Sequence, residues 1–381
     1  MRIAQVAQLW ESVPPKMYGG SERVISYLTE ELVRQGHDVT LFASGDSITA
    51  ARLEGVYPEA LRLSTGCIHK DAVLVALLER TFGSDGRFDI IHSHLEVLGF
   101  PMARRCQTPV VSTLHGRLDL PELVPVFNDF TELPIVSISD AQRTPFPWSN
   151  WVGTIYHGLP SNLYTFHPTP GKYLAFLGRI APEKRPDHAI EIAKRLGIPL
   201  RIAAKVDPAN RAYFEAEIKP LLDHPLIEFV GEITDTEKDQ FLGEAYGLLA
   251  PYDWPEPFGL VLIEALACGT PLLAYRCGSI PEILEDGVTG MICESVADME
   301  VAVSRLDSIS RANCRRSFEE RFTVERMAQE YLRIYSQFLN RGSRSTLASV
   351  GWDHDGGTSG HLRRPGGTDR RHIKVIRTTV R

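Results

Sequence analysis

The sequence lacks the features that mark membrane-spanning, secreted and zinc-binding proteins. A membrane-spanning helix needs about 20 consecutive apolar residues, and the chain has no run that approaches this length. The N-terminal stretch MRIAQVAQLWESVPP has an apolar run too short and too broken for a secretory signal. The six cysteines are scattered, with no CxxC pair and no zinc spacing. Reduced cysteines in a cytoplasmic protein are therefore expected.

Positive charge is scarce over most of the chain. The net charge is −7, but residues 341–381 hold nine Lys/Arg and three Asp/Glu, which leaves the preceding residues with 32 basic and 45 acidic side chains. An acidic body argues against nucleic acid as a partner. Residues 341–381 are rich in Gly, Ser, Thr and Arg without apolar periodicity, which predicts a disordered tail. Its charge suits a weak contact with anionic lipid, and the alternative is a solvated tail without a role.

Also missing are internal repeats and a GxGxxG after the first predicted strand, which weighs against a nicotinamide dehydrogenase. What is present is an alternation of short Val/Ile-rich runs with helical patterns, typical of parallel sheets covered on both faces. The predicted strands are 3–7, 39–43, 90–92, 110–114, 135–138, 173–177, 200–204, 227–230, 248–250, 272–274 and 291–293. The predicted helices are 21–35, 186–196, 211–222, 260–267 and 324–339.

A Pro- and Gly-containing segment, His157–Lys172, interrupts this alternation and is typical of a linker. The fold class is therefore α/β, with two doubly wound, Rossmann-like domains that face each other across a cleft. The predicted domains are 1–165 and 166–322, followed by a helix over 323–340 and the tail 341–381. Ligands of such sheets bind beyond the carboxyl ends of the strands.

Two short stretches offer anion-binding chemistry. Gly19-Gly20-Ser21-Glu22 begins a helix after the first strand, where free N–H groups favour an anion. A plain turn with Ser21 as the helix cap is the alternative. In GRIAPEKR, Arg179 and Lys184 flank a Pro turn at a strand end, so both cations could meet a diphosphate. An exposed basic loop is the alternative there.

The stretch WPEPFGLVLIEALACGTPL contains a carboxylate, Glu264, inside an otherwise apolar helix. A buried carboxylate without a partner costs several kcal/mol. Vicinal ribose hydroxyls would supply two donors to Glu264, and Glu256 could accept from a second sugar. An internal salt bridge for Glu264 and simple exposure for Glu256 are the alternatives. Gly259 allows a close approach of the backbone to a ligand at the helix start.

PEPFGLVLIE resembles the E-x7-E motif of retaining glycosyltransferases of family 4, with Glu256 and Glu264 as its glutamates. The resemblance extends to GRIAPEKR, Gly19-Gly20, Thr113-Leu114-His115-Gly116, Cys268-Gly269-Thr270-Pro271 and Gly278-Ser279-Ile280-Pro281-Glu282, in the family's order over roughly residues 1–340. The E-x7-E block is the specific part of this resemblance, whereas the GG and HG pairs are weak alone.

The resemblance implies the GT-B fold and transfer from a nucleoside-diphosphate sugar with retention and without a metal. It assigns Glu264 to the ribose and Glu256 to the donor sugar. Backbone N–H groups of Gly20, Phe258, Gly259 and Leu260 would hold the diphosphate beside Gly19, with Arg179 and Lys184 neutralising it. His115 would lie against the transferred sugar, so His115, Arg179, Lys184 and Glu256 are the expected catalytic residues. No Asp-x-Asp pair follows a predicted strand, in agreement with metal independence.

One stretch departs from the family pattern. The glycine-containing loop after the second strand of the C-terminal domain reads Ala203-Ala204-Lys205-Val206-Asp207. The loss of glycine changes the shape of the base and phosphate pocket, and Lys205 adds a cation. The base is expected near Val230-Gly231-Glu232, without a side chain that selects uracil over guanine or adenine.

Three further histidines, His92, His94 and His157, lie near the predicted cleft. His92 and His94 are two residues apart on a predicted strand and so share a face, which suits a metal pair, a sugar contact or a structural role. His157, at the start of the linker segment, is expected to shape a hinge. The last helical pattern has an apolar face that includes Met327, Tyr331 and Tyr335. The family predicts that this helix returns to the N-terminal domain, and packing on its own domain is the alternative.

The sequence thus predicts a cytoplasmic hexosyltransferase that moves a sugar from a UDP-sugar, or else a GDP-sugar, to a carbohydrate or other hydroxyl acceptor. The acceptor is expected near the loops 14–18, 93–100 and 119–132. A nucleotide-sugar epimerase or hydrolase on the same fold is one alternative. A non-catalytic nucleotide-sugar-binding protein is the other. The sugar, the acceptor, the linkage and the oligomeric state are not determined by the sequence.

Overall fold

The computed structural model describes residues 1–62, 64–83 and 86–349, with side chains described as far as residue 340. Met1–Asn340 form one compact unit. The tail was predicted to be disordered and to contact lipid. Its backbone is helical as far as Ser349, and its remaining residues lie outside the described part of the chain.

The first sheet has seven parallel strands in the order β3-β2-β1-β4-β5-β6-β7. They are β1 (Arg2–Val6), β2 (Asp38–Ala43), β3 (Arg52–Gly55), β4 (Ile90–Ser93), β5 (Val110–Thr113), β6 (Ile135–Ser137) and β7 (Trp151–Thr154). The α-helices between them are α1 (Gly20–Arg34), α2 (Lys70–Phe82), α3 (Phe100–Ala103) and α4 (Val124–Asp129).

The second sheet has six parallel strands in the order β10-β9-β8-β11-β12-β13. They are β8 (Tyr173–Arg179), β9 (Leu200–Lys205), β10 (Ile227–Gly231), β11 (Ala245–Ala250), β12 (Leu272–Tyr275) and β13 (Gly290–Cys293). The remaining α-helices are α5 (Pro186–Leu196), α6 (Arg211–Tyr213), α7 (Asp235–Gly243), α8 (Leu260–Cys268), α9 (Ile280–Ile283), α10 (Val296–Val303), α11 (Arg311–Arg321) and α12 (Val324–Ser349).

The predicted α/β class with two parallel, helix-covered sheets is confirmed, and the sheets lie on either side of the predicted linker. The prediction of one α-helix over residues 211–222 was wrong, because only α6 (Arg211–Tyr213) is α-helical in this range. A π-helical turn over Phe214–Ile218 and a 3-10 turn over Lys219–Leu221 follow it. Pro220 has no N–H to donate and its ring clashes with the preceding turn, so a regular α-helix cannot continue through it.

Helix α12 packs on the first sheet although it follows the second sheet in the chain. Its buried residues Val324, Met327, Ala328, Tyr331, Ile334 and Tyr335 share one apolar cluster with Ile3, Ile90, Val111 and Val136 of the first sheet. The apolar stripe of α12 is thus buried against strands that lie more than 180 residues earlier in the chain. No helix among the described residues is both long and apolar enough to cross a membrane.

Candidate functional site

A cleft of about 440 Å³ opens where the carboxyl ends of the two sheets face each other. This volume suits a small-molecule ligand, and the position is the one at which doubly wound sheets bind their ligands. From the first sheet the lining includes Gln8, Lys16, Tyr18, Gly19, Gly20, Arg23, Arg62, His115 and His157. From the second sheet it includes Arg179, Lys184, Lys205, Glu232, Asp235, Lys238, Tyr252, Glu256, Phe258, Gly259, Leu260 and Glu264.

Glu264 lines the cleft, but it has a protein partner. It is 3% exposed, and its Oε1 accepts from Lys238 Nζ at 2.9 Å. Lys238 also lines the cleft and makes a second ion pair with Asp235 at 3.3 Å. The expectation that only a ligand would satisfy this carboxylate is therefore wrong. Since a carboxylate offers about four lone-pair positions, Glu264 keeps acceptor capacity beside Lys238.

The other glutamate of the motif, Glu256, is buried and forms an ion pair with Lys184. Trp254 Nε1 donates to the same carboxylate oxygen at 3.0 Å. The Lys184 ammonium also lies 4.0 Å from the centre of the Tyr252 ring, which adds a cation–π contact. Lys184 and Glu256 are thus in direct contact in the cleft. The sequence analysis had assigned Lys184 to the diphosphate of the donor and Glu256 to its sugar.

Arg179 and Lys205 stand side by side, because they are register partners at the ends of β8 and β9. Asp207 lies 3.8 Å from Arg179 Nη1 and 3.2 Å from Lys205 Nζ. A second carboxylate, Glu183, lies 3.4 Å from Arg179 Nη2. The predicted addition of a cation by Lys205 agrees with this position, although both cations share their charge with neighbouring carboxylates.

Two helix starts meet at the floor of the cleft. Helix α1 begins at Gly20 and α8 begins after Gly259, and a Cβ at Gly20 would lie 3.4 Å from Leu260 Cδ1. Gly259 has a φ of 86°, a conformation that favours glycine. The unpaired N–H groups of both helix starts favour a negative charge. The side chain of Phe258 is buried behind this floor, 4.8 Å from the His157 ring.

His115 follows β5 and is held from several sides. Its backbone N–H donates to Glu96 at 2.8 Å, its Nε2 lies 2.9 Å from His94 Nδ1, and its ring stacks on that of His157 at 5.3 Å. Burial lowers the pKa of His115 to about 4, so the ring is neutral at pH 7. Its Nδ1 is buried and has no hydrogen-bond partner within the part of the chain that the structure describes.

His92 and His94 do have a structural role, because both are buried in hydrogen-bond networks. His92 bonds Thr113 and Tyr335, and His94 bonds Gln5 and His115. Over residues 1–62, 64–83 and 86–340 no cluster of three or more potential metal ligands occurs. Neither ring lines the cleft, so a direct sugar contact by these two histidines is not supported.

One predicted donor residue is misplaced. Val230 lies in the edge strand β10, is 38% exposed and is not part of the cleft wall. Glu232, Ile233 and Thr234 form that wall instead. Alternation along a strand explains the error, since successive side chains point to opposite faces.

Sequence reasoning missed the cleft residues of α7, Asp235 and Lys238, because it predicted no helix there. A signal was present: Thr234 and Glu237 form a capping box, in which each side chain accepts from the other residue's backbone N–H. The pattern Thr-x-x-Glu is a known start of a helix. Cross-cleft partners such as Arg23, which pairs with Asp235, have no such local signal.

The fold is that of the GT-B glycosyltransferases, with two Rossmann-like sheets on either side of a cleft. The family comparisons agree. Residues 18–157 match the model of Glycosyltransferase Family 4, and residues 165–323 match Glycosyl transferases group 1. The chain belongs to this family of glycosyltransferases.

Curated relatives are distant in sequence. The chain is 24% identical to a D-inositol 3-phosphate glycosyltransferase of Mycolicibacterium smegmatis, in an alignment that covers 87% of this chain and 90% of the relative. It is 26% identical to the protein of the same name from Mycobacterium sp. strain KMS, over 62% of each chain.

Solved structures share the fold. A sucrose-phosphate synthase from Thermosynechococcus elongatus superposes with a TM-score of 0.71 at 19% identity, covering 89% of this chain and 99% of that one. HepE of Anabaena in complex with UDP and glucose gives a TM-score of 0.69 at 18% identity, with coverages of 88% and 99%. AviGT4, a glycosyltransferase of avilamycin A biosynthesis, gives 0.68 at 21% identity, with coverages of 89% and 98%.

Proposed function

We propose that this glycosyltransferase moves a hexose from a nucleoside-diphosphate sugar to a hydroxyl acceptor, with retention of the anomeric configuration and without a metal. A UDP-sugar is the favoured donor and a GDP-sugar the second choice. We also propose that the protein is cytoplasmic and that its acidic residues 1–340 do not bind nucleic acid. Residues 1–165 would bind the acceptor, and residues 166–322 would bind the donor.

The observation that carries the proposal is the convergence of cations and helix starts on one stretch of cleft. Arg179 and Lys205 at the ends of β8 and β9, and Lys184 in the turn after β8, line the same cleft as the starts of α1 and α8. Such an arrangement stabilises a diphosphate and, more strongly, the charge that grows on it as the bond to the sugar breaks. Backbone N–H groups at Gly20, Gly259 and Leu260 would add donors beside Gly19.

The two glutamates supply acceptors for hydroxyl groups on either side of that diphosphate. Glu264 would accept from the ribose and Glu256 from the transferred sugar, each sharing its carboxylate with a lysine. The UDP complex of HepE supports uridine as the base, because that protein shares the fold and most of the chain length. Residues Glu232 to Thr234 would then lie near the base.

Because burial lowers the pKa of His115 to about 4, its neutral ring is a weak base, and we do not assign it the removal of the acceptor's proton. In the proposed reaction the acceptor oxygen attacks the anomeric carbon on the face from which the diphosphate leaves. The leaving phosphate oxygen takes the acceptor's proton, so the protein need not supply a base. Arg179 and Lys184 stabilise the departing charge, and His115 contacts a hydroxyl of the sugar.

The acceptor is proposed to be a carbohydrate or another small hydroxyl compound. The names of the curated relatives make D-inositol 3-phosphate one candidate. Lys16 and Arg62 line the first-sheet side of the cleft, where they pair with Asp46 and Glu11. A phosphorylated acceptor would have to compete with these carboxylates for the two cations.

The test is to incubate purified protein with radiolabelled UDP- and GDP-sugars and a panel of hydroxyl acceptors that includes D-inositol 3-phosphate, with and without EDTA. We expect a glycosylated product of unchanged anomeric configuration by proton NMR, formed equally well with EDTA. K184A should lower turnover roughly a hundredfold, whereas K219A, which removes a lysine that is not part of the cleft wall, should not.

Other outcomes of this assay identify the alternatives. Release of nucleotide without acceptor would indicate a hydrolase, and an isomerised donor would indicate an epimerase. Binding without turnover for every donor and acceptor would indicate a non-catalytic module. An inverted product, or loss of activity in EDTA, would overturn the corresponding part of the proposal.

A further inference from the structure

A buried chain of hydrogen bonds connects helix α12 to the His115 ring in the cleft wall. Gln5 of β1 bridges two partners: its Nε2 donates to the Tyr335 hydroxyl at 3.4 Å, and its Oε1 lies 2.9 Å from His94 Nε2. His94 Nδ1 in turn lies 2.9 Å from His115 Nε2. Gln5, His94 and Tyr335 are each at most 1% exposed, so water does not compete along the chain.

The direction of these bonds fixes where each proton resides. Burial lowers the pKa of His94 and of His115, so both rings are neutral at pH 7 and each carries one N–H and one lone pair. Because Gln5 Oε1 accepts, His94 must carry its proton on Nε2 and accept on Nδ1. His115 must then donate through Nε2, which leaves the lone pair on His115 Nδ1.

His115 Nδ1 is the one end of this chain without a partner among the described residues. His115 lines the cleft, but its Nδ1 is buried in the ligand-free structure, so a hydroxyl group of a ligand reaches this lone pair only if the cleft wall shifts on binding. Reversing the Gln5 amide would reverse every bond, and His115 would then present an N–H to the same ligand. The orientation of the Gln5 amide therefore determines, through His94, whether His115 Nδ1 can accept or donate a hydrogen bond.

A second branch ties the same amide to α12. The Tyr335 hydroxyl also lies 2.7 Å from His92 Nδ1, and His92 Nε2 lies 2.7 Å from Thr113 Oγ1, which bonds the Tyr331 hydroxyl at 3.0 Å. With Gln5 Nε2 donating to Tyr335, the tyrosine donates to His92 and the remaining bonds follow in one direction. The observed amide orientation thus gives both branches one direction, with one branch ending at His115 Nδ1 and the other at the Tyr331 hydroxyl.

We propose that Gln5 is a positioning residue that acts through His94 to hold His115 as the Nε2-protonated tautomer, so that Nδ1 accepts a hydrogen bond from a hydroxyl of the ligand in the cleft. The role of that hydroxyl in sugar transfer rests on the proposed function. The tautomer itself does not, because it is a property of the protein without ligand.

The test uses the full chain labelled with [15N]histidine, with the His115 signals assigned by their loss in H115N. In the wild type we expect an unprotonated Nδ1 and a protonated Nε2 for His115. Q5M, which removes both ends of the amide at similar volume, should give a mixture of tautomers or the Nδ1-protonated form. T29V is the matched control, a buried polar-to-apolar change in α1 at a hydroxyl outside the chain, and should leave the His115 signals unchanged.

The kinetic arm uses any donor and acceptor pair that the wild type turns over. Q5M should lower kcat roughly tenfold, the scale of one hydrogen bond, with a smaller change in KM, and should have no further effect in an H115A background. A His115 that is protonated on Nδ1 in the wild type, or unaltered in Q5M, would overturn the proposal. So would a changed tautomer with unchanged kcat.

If Q5M does not fold, Y335F removes the hydroxyl that orients the Gln5 amide, and the same change in tautomer is expected. Because the NMR arm needs no sugar, a wild type without transfer activity would refute the proposed function and leave the tautomer assignment to be decided separately.

Discussion

Glu264 shows how a buried carboxylate can serve both the fold and a ligand. Removing one partner of a buried ion pair leaves an uncompensated charge, which typically costs several kcal/mol. Here Lys238 has a second carboxylate, Asp235, so the loss of Glu264 does not strand it. The pair lies in the cleft wall, where a ribose could share the glutamate with the lysine. The ion pair therefore does not exclude a ligand role.

We predict that E264A weakens UDP binding by about 1.5–3 kcal/mol, the scale of a hydrogen bond to a charged group. The loss should appear with UDP and largely vanish with a nucleotide that lacks the ribose hydroxyls, since such a nucleotide has nothing to donate. Calorimetric titration of the wild type and of E264A, each with UDP and with the nucleotide that lacks the ribose hydroxyls, measures the coupling between Glu264 and these hydroxyls.

E300A is the matched control, a glutamate whose partner Arg195 lies in α5 and which is not part of the cleft wall. Its affinity for both nucleotides should equal that of the wild type. An E264A protein that discriminates against the deoxy nucleotide as strongly as the wild type would refute the ribose contact and leave only the bond to Lys238.

At the scale of elements, the sequence predicts what local chemistry determines. The apolar runs of β8 and β9 and the stripe of α12 are visible as patterns, and the Pro-Phe-Gly turn predicts the start of α8. The short strands β3 and β7, with sequences RLEG and WVGT, have no distinctive pattern and form because neighbouring strands offer them partners. The α12 stripe shows that a face is buried, but only the resemblance indicated which sheet covers it.

The same distinction holds at the site. Glycines, strand ends and the E-x7-E spacing identify part of the cleft wall in advance, including Gly20, Arg179 and Glu256. The pairings Lys238 with Glu264 and Lys184 with Glu256 join segments 26 and 72 residues apart. Local sequence patterns do not reveal contacts between residues so far apart in the chain. The sequence analysis therefore assigned a ligand, and not a lysine, as the partner of each carboxylate.

The turn after β4 contains a strained element that supports the His115 loop. Glu96 has a φ of 51°, a conformation that side chains other than glycine rarely adopt, and its carboxylate accepts from the backbone N–H groups of His115 and Gly116 at 2.8 and 3.2 Å. Burial raises the pKa of Glu96 from 4.5 to about 7, although these two hydrogen bonds oppose the shift.

From this shift we predict a pH-dependent difference in stability between wild type and E96Q. Below pH 4.5 the carboxyl is protonated in both the folded and the unfolded state. Between 4.5 and about 7 the folded state retains a proton that the unfolded state has lost, so the contribution of Glu96 to stability declines as the pH rises through this window. The amide oxygen of E96Q can still accept, but it does not titrate.

Urea unfolding of both proteins at several pH values provides the measurement. E96Q should gain stability relative to the wild type as the pH rises from about 5 to about 8. The buried histidines titrate in both proteins and cancel in the difference. E122Q is the control, because Glu122 is an exposed glutamate of the first sheet's loops. A difference between E96Q and wild type that is independent of pH would contradict the assignment.

Over the whole compact unit, a few polar contacts join the two sheets across the cleft. Arg23 of α1 pairs with Asp235 of α7. On the other side, Glu282 of α9 accepts from the backbone N–H groups of Asp140 and Ala141, both at 2.7 Å. Asp235 also contacts Lys238, which holds Glu264. The donor wall and the contact that spans the cleft therefore belong to one charge network.

This network predicts that Arg23 couples the separation of the sheets to donor binding. R23A should widen the cleft on average, measured as a larger radius of gyration in small-angle scattering without ligand, and a saturating donor should reverse much of the change. The affinity for UDP should fall roughly two- to tenfold, as expected for a partly exposed ion pair.

R34A is the matched control, because Arg34 lies on the same helix but pairs with Glu31 within it. If R23A and R34A scatter alike and bind UDP alike, the Arg23–Asp235 pair contributes nothing to closure, and Glu282 on the opposite side holds the sheets together without it.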